Sequence, residues 1–271
     1  MSEDSGRLDR GDGVELAWRR RVGGGGAERR PGVIFLGGFN SDMTGTKAED
    51  LSAFCAERGQ AFLRFDYSGH GASGGNFAEG TIGRWAADAA AVLDALAEGP
   101  QILVGSSMGG WIALLLAAQR PGLRSQDAAG VGRAAPAWSL AGLVGIAAAP
   151  DFTARIEESL PAEIRATIAR DGVWHRPSEY GDPYPITRAL LEEGRRHLLQ
   201  APVPITAPVR LLQGQQDRDV PWETALRTAA AIAGPDVQVT LIKDGDHRLS
   251  RPQDLALLRR TVAGLLGEDG G

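Results

Sequence analysis

Gly105-Ser106-Ser107-Met108-Gly109 is the stretch on which the reading of this chain turns. It follows the apolar run Ile102-Leu103-Val104 and opens the apolar segment Trp111 to Ala118. A Gly-x-Ser-x-Gly turn between a strand and a helix lifts the serine hydroxyl above the sheet. Glycines flank it because the turn leaves no room for side chains. Ser107 therefore reads as a nucleophile. The pattern needs this context, since 37 glycines in 271 residues give roughly a quarter of a chance match per chain. Gly71-Ala72-Ser73-Gly74-Gly75 is a second match. No strand runs directly into Ser73 and no apolar helix leaves it, so Ser73 reads as a loop residue.

Working outward from Ser107, short apolar runs alternate with helical periods. Val14 to Val22 reads as a strand after a turn at Asp12-Gly13. Val33 to Leu36, Ala61 to Phe65, Gln101 to Gly105, Leu143 to Ala147, Val209 to Gln213 and Val237 to Ile242 read as further strands. Residues 46–58 fit a helix with Leu51, Phe54 and Cys55 inward. Thr81 caps another, whose inner face is Trp85, Ala89, Val92, Leu93 and Leu96. Helices are also expected at 107–119, 222–233 and 253–266. Residues 1–6 are expected to be disordered, Gly23 to Gly26 to form a flexible turn, and 122–139 to form a long surface loop. The alternation predicts an α/β fold, a mostly parallel sheet with helices on both faces. Residues 1–150 and 206–271 would form its core. The helical patches near 152–170 and 187–199 would form a small cap, inserted at 151–205.

Ligands bind at the carboxyl ends of strands in such sheets, so the partners of Ser107 should follow strands too. A serine hydroxyl needs a base, and the base an orienting acid. Of the four histidines, His247 comes just after the final strand. His70 lies in a glycine loop, and His175 and His197 lie in the cap segment. His247 is the expected base. Asp217 is the expected acid, with Asp219 as its local rival and Asp151 behind both. Asp219 has a second reading as a capping carboxylate before the helix near Pro221. The oxyanion donors would be the backbone N–H groups of Met108 and Phe39, the latter in Gly37-Gly38-Phe39.

Composition narrows the field. A net charge of −5 argues against nucleic acid as the main partner. The single cysteine leaves no internal disulfide and no cysteine-rich metal site, and no metal or other cofactor is expected. No apolar run reaches the roughly 20 residues of a membrane span. Without a signal-peptide core the expected setting is cytoplasmic. Gly69-His70-Gly71-Ala72-Ser73-Gly74 fits a dinucleotide fingerprint by letter, but it opens no helix at once and is not the first strand–helix turn.

With Ser107, Asp217 and His247 in hand, the chain resembles the serine hydrolases of the α/β-hydrolase family. The likeness runs from about Gly32 to Leu266. It is carried by Gly45-Thr46-Lys47, Arg64-Phe65-Asp66-Tyr67-Ser68-Gly69, Gly105 to Trp111, Val220-Pro221-Trp222 and Asp246-His247-Arg248. These motifs are similar to those of a branch that removes S-palmitoyl groups and cleaves acyl glucuronides. The resemblance implies the α/β-hydrolase fold, the triad and oxyanion loop on the residues above, and acyl thioesters or activated esters as substrates, small-molecule or acylated-protein. Gln213 departs from it, standing where many members have His, and so does Gly37, in place of Pro or His. The 122–139 stretch reads as an insertion, and no mitochondrial presequence is recognisable. Leu160, Ile164, Ile168, Val173, Trp174, Leu190 and Leu191 would line an acyl pocket or merely pack the cap. Arg188, Arg195 and Arg196 would meet an anionic leaving group or form a solvated face. A ligand-binding protein on a hydrolase scaffold is the alternative from another class. A peptidase or C–C hydrolase would use the same three residues.

Overall fold

The computed structural model describes residues 3–24, 30–118, 137–177 and 183–267. Strand β3 (Gly32–Leu36) is buried at every position, as a continuous apolar run in a sheet covered on both faces should be. It pairs in parallel with β4 (Phe62–Phe65) on one side and with β5 (Gly99–Ser106) on the other. Beyond β5 the parallel order continues through β6 (Trp138–Ile146), β9 (Val209–Gly214) and β10 (Val237–Ile242). An antiparallel hairpin, β1 (Asp4–Asp9) and β2 (Glu15–Arg21), adds to the β4 edge. The sheet order is β1-β2-β4-β3-β5-β6-β9-β10. It reverses direction between β3 and β5, so the switch point lies where β5 ends, at Ser106 and Ser107.

Two apolar layers hold the sheet. One packs α2 (Ile82–Leu96) and α3 (Met108–Ala117) against its first face. The other packs α1 (Thr46–Glu57) and α8 (Pro252–Leu265) against its second. All ten residues of α3 are buried, which accounts for its apolar character all round. The Thr81 hydroxyl accepts the Arg84 N–H at 3.2 Å, the cap expected from sequence. Helix α7 (Glu223–Ala231) lies between β9 and β10 in the chain.

Three expectations need correction. Residues 4–6 belong to β1, so the start of the chain is ordered where it is described. Its anchor is electrostatic: Arg64 is buried on β4, and Glu3 receives its Nε and Nη2 donors at 2.9 and 2.6 Å. Residues 138 and 139, read as loop, begin β6; residues 122–136 of that stretch and residues 25–26 of the glycine turn lie outside the described residues. The 151–205 segment contains a hairpin besides helices. After α4 (Phe152–Ser159) and α5 (Ala162–Asp171) come β7 (Val173–Arg176) and β8 (Tyr184–Thr187), paired antiparallel, and then α6 (Arg188–Gly194). The hairpin strands have four residues each, too few for a period of two to stand out.

Candidate active site

Ser107 sits at φ 53°, ψ −117°, between β5 and α3. This is a strained angle for a residue with a side chain, and such strain gathers at functional sites. The turn is packed too closely for side chains on its glycines. A Cβ on Gly105 would overlap the Gly109 carbonyl, and one on Gly109 would overlap the Leu36 and Gly37 carbonyls. Backbone bonds fix the serine further: its N–H donates to Ile146 at 2.9 Å, and its carbonyl accepts from Gly110 at 2.9 Å and Ala149 at 3.1 Å.

Two loops from distant parts of the chain meet this turn. Asp217 follows β9, and His247 follows β10. A Cβ on Gly214 would strike the Gly245 carbonyl, so the two loops lie back to back. They are joined by N–H groups of Gln216 to Gly245 and Gln215 to Ile242, both at 2.9 Å. The result is a continuous line. The Ser107 hydroxyl lies 3.1 Å from His247 Nε2, and His247 Nδ1 lies 2.8 Å from Asp217 Oδ2. A carboxylate only accepts, so Nδ1 carries the proton and Nε2 is free to accept from the serine.

The Asp217 side chain is fully buried. Burial alone would raise its pKa, but the hydrogen bond from His247 and the electrostatic attraction of that ring overcome this and hold the carboxyl below its ordinary value. The Val220 N–H at 2.8 Å and Gln213 Nε2 at 2.9 Å reinforce the effect. By sequence Gln213 stands out only as a departure from the His that many members of the family carry. It supplies a buried donor to the acid, and its other acceptors, the Gly214 and Val220 carbonyls, fix its amide orientation.

Asp219 does not share this position. It is exposed, and its backbone N–H donates to Asp217 Oδ1 at 2.9 Å. Its capping reading also fails, because α7 starts at Glu223 with Trp222 as its cap. Asp151 binds the Leu199 N–H at 2.9 Å, at the start of α4. Asp217, Asp219 and His247 bring ligand-type atoms within 4.8 Å of one another. Two of these three are already committed to each other. Ser73 is a loop staple: its hydroxyl donates to the Asp66 carbonyl at 2.7 Å and accepts the Ala17 N–H at 2.8 Å.

Ser107 and His247 open on a cavity of about 810 Å³. Phe39, Phe152, Ile156 and Tyr184 form much of its apolar wall. The Phe39 ring meets Phe77, Trp85, Phe152 and Tyr184 edge-on, with centroids 4.9 to 5.7 Å away. Residues 33–257 match the Alpha/beta hydrolase family.

The chain belongs to that family.

This α/β hydrolase is 41% identical over 262 residues to mouse "Palmitoyl-protein thioesterase ABHD10, mitochondrial", covering 96% of this chain and 81% of the relative. The human protein of that name is 38% identical over 262 residues, covering 96% of this chain and 79% of its own. Among solved structures, a hydrolase from Agrobacterium vitis S4 matches with a TM-score of 0.88 at 41% identity, over 98% of each chain. Mouse alpha/beta hydrolase domain-containing protein 10 matches with a TM-score of 0.83 at 40% identity, over 98% of this chain and 99% of that one.

These relatives overturn the expected cytoplasmic setting, since the curated ones are named mitochondrial. A fold with one cysteine and no disulfide suits any reducing compartment, so composition carried no address. No helix among the described residues is long and apolar enough to cross a membrane.

Of the two roles expected for the apolar residues singled out in the 151–205 segment, the structure supports packing, not lining the cavity. Leu160, Ile168, Leu190 and Leu191 are buried in the core, with Ile164 and Trp174 packed against it. The apolar stripes of the 151–205 segment pack onto the main core, so these residues face inward. Trp174, Leu190 and Leu191 therefore do not line the cavity. Arg195 is paired with Glu157, and Arg188 donates to the Ala169 carbonyl. Different cations line the cavity: Lys47, Arg155, Arg176, Arg218 and Arg248.

Proposed function

We infer that this hydrolase cleaves carboxylic esters or thioesters by two-step acyl transfer, with Ser107 as nucleophile, His247 as general base and Asp217 as its orienting acid. The observation that carries the reading is the hydrogen-bonded line from the Ser107 hydroxyl through both nitrogens of His247 to Asp217. His247 Nε2 takes the hydroxyl proton as the serine oxygen attacks the acyl carbon. The N–H groups of Met108 and Phe39 hold the oxyanion. Collapse expels the alcohol or thiol, which takes the proton from His247. Water, deprotonated by the same nitrogen, then attacks the acyl-enzyme, and the acid leaves as the Ser107 oxygen recovers a proton. No resident cofactor enters these steps. The 151–205 segment acts as a cap, since Phe152, Ile156 and Tyr184 come from it.

The relatives' name favours acyl thioesters of proteins as substrates. A second reading, ester cleavage with an anionic leaving group such as a glucuronate, is favoured by the arginines of the cavity. Arg155 donates to the Asp219 carbonyl at 3.3 Å and has no carboxylate partner within 4.0 Å among the described residues.

The test is Ser107→Ala. It should lower turnover of p-nitrophenyl esters and of an acyl thioester by up to about 10⁶-fold. A fluorophosphonate probe should label the parent and leave the variant unlabelled. Near-full activity in the variant overturns the nucleophile. An unlabelled, inactive parent would favour the ligand-binding alternative.

A further inference from the structure

The geometry points to His70 as a positioning residue for the oxyanion loop, acting through a hydrogen bond from the Asn40 N–H to its Nε2. The inference rests on Phe39 being an oxyanion donor. His70 is 3% exposed and lies on the glycine loop after β4, outside the line formed by Ser107, His247 and Asp217. Its two ring nitrogens have separate tasks. Nδ1 donates to the Ser68 carbonyl at 3.2 Å, which leaves Nε2 as an acceptor. The Asn40 N–H reaches that nitrogen at 3.3 Å.

The loop needs such a hold. Gly38 lies against the nucleophile: a Cβ built on it would stand 3.3 Å from the Ser106 carbonyl and 3.4 Å from Ser107 Cβ. The Gly38 carbonyl accepts the Ser41 N–H at 3.3 Å, closing a turn with Phe39 and Asn40 at its centre. Asn40 occupies the third position at φ 55°, where a side chain is disfavoured and glycine usual. A turn with a negative angle there would rotate the Phe39–Asn40 peptide and aim its carbonyl, not its N–H, toward His70. Two lone pairs would then face each other. A neutral His70 accepting from Asn40 thus selects the peptide orientation adjoining the Phe39 N–H. Burial keeps the imidazole neutral, lowering its pKa to about 4 against the weaker opposing pull of the Ser68 carbonyl. The ring is wedged among Tyr67, Phe77 and Trp85, and the last two also clamp the Phe39 ring.

The test uses two variants and one measurement on the parent. His70→Phe keeps a ring in the aromatic cage and removes the acceptor. The Ser68 carbonyl retains the Trp85 indole donor at 3.1 Å, and exposed Asn40 finds water, so folding should survive. Its kcat should fall about tenfold or more, with KM moving less than about threefold. His70→Gln restores an acceptor near the Nε2 position and should recover kcat to within about threefold. Nitrogen-15 NMR of the parent near neutral pH should show His70 neutral with its proton on Nδ1. Full kcat in His70→Phe overturns the inference, as does equal impairment in the two variants. So does a charged or Nε2-protonated His70 in the parent, which decides the matter even if both variants fail to fold. If Ser107→Ala stays active, the acyl-transfer reading itself has failed, and the NMR result remains a separate fact about the loop.

Discussion

Lys47 Nζ donates to the carbonyl of Arg248 at 2.6 Å, tying the first turn of α1 to the residue next to His247 across 201 positions of chain. Burial, with the nearby Arg248 charge, lowers the Lys47 pKa from 10.5 to about 8, against the opposing pull of Asp246 and Asp254. The unfolded chain keeps this proton up to about 10.5, while the native one releases it near 8. Between those values the unfolded state binds more protons, so this group's contribution to stability rises with pH. Below about pH 8 the cost of burying the ammonium is constant. Urea unfolding of the parent and of Lys47→Met should therefore diverge in the parent's favour from about pH 8 to about pH 10.5. A constant difference across that window contradicts the assignment. The variant should also lose kcat, on the order of tenfold, because the His247 loop loses an anchor.

Asp217 and Asp219 differ in burial and in partner, which separates them by mutation. Asp217→Asn should cut kcat by about 10⁴-fold, as an imidazole held in the wrong tautomer does in other triads. Asp219→Asn should stay within about threefold of the parent, since its carboxylate is exposed and only its backbone touches Asp217. The reverse ranking in a p-nitrophenyl ester assay would move the acid to position 219.

Gly109→Ala forces a Cβ onto the carbonyls of Leu36 and Gly37. Both belong to backbone that cannot yield without moving β3 or the Gly37-Gly38-Phe39 turn. The expected loss is about 3 kcal/mol, at the upper end for overpacking, read as a lower unfolding midpoint in urea. An unchanged midpoint would show that the turn has slack.

Arg155→Met and Arg176→Met test the second substrate reading. For an acyl glucuronide, kcat/KM should fall about tenfold in at least one variant, the loss of one charge-assisted hydrogen bond. A neutral p-nitrophenyl ester should be affected by less than about threefold in both. Equal loss on both substrates would mean that the arginines only support the cavity wall.

The parallel strands and the three residues at the ends of β5, β9 and β10 were legible because each lies where one local rule applies. Val33 to Leu36 is too uniformly apolar to face water. Ser107, Asp217 and His247 each follow a strand, and the parallel order of the sheet turns that into proximity. What stayed hidden depends on partners distant in sequence. Residues 4–9 look polar and Gly-containing, and they form a strand because β2 is there to pair with and Arg64 needs Glu3. Leu190 and Leu191 show a helical apolar stripe, but a stripe does not say whether it meets the core or a cavity. His70 carries no local mark of its contact with Asn40, thirty residues away, and Gln213 shows its role only once the turn after β9 folds its amide back onto Asp217.

The Phe39 ring is wedged between the body of the fold, at Phe77 and Trp85, and the insertion, at Phe152 and Tyr184. Under the proposed function, substrate choice and chemical step would share one mechanical part. Transplanting a foreign insertion onto this scaffold, to give it a new repertoire, would unseat that ring unless the graft brings aromatic groups to the same two places. Retargeting by single exchanges on the insertion's arginines leaves the ring seated and is the gentler route.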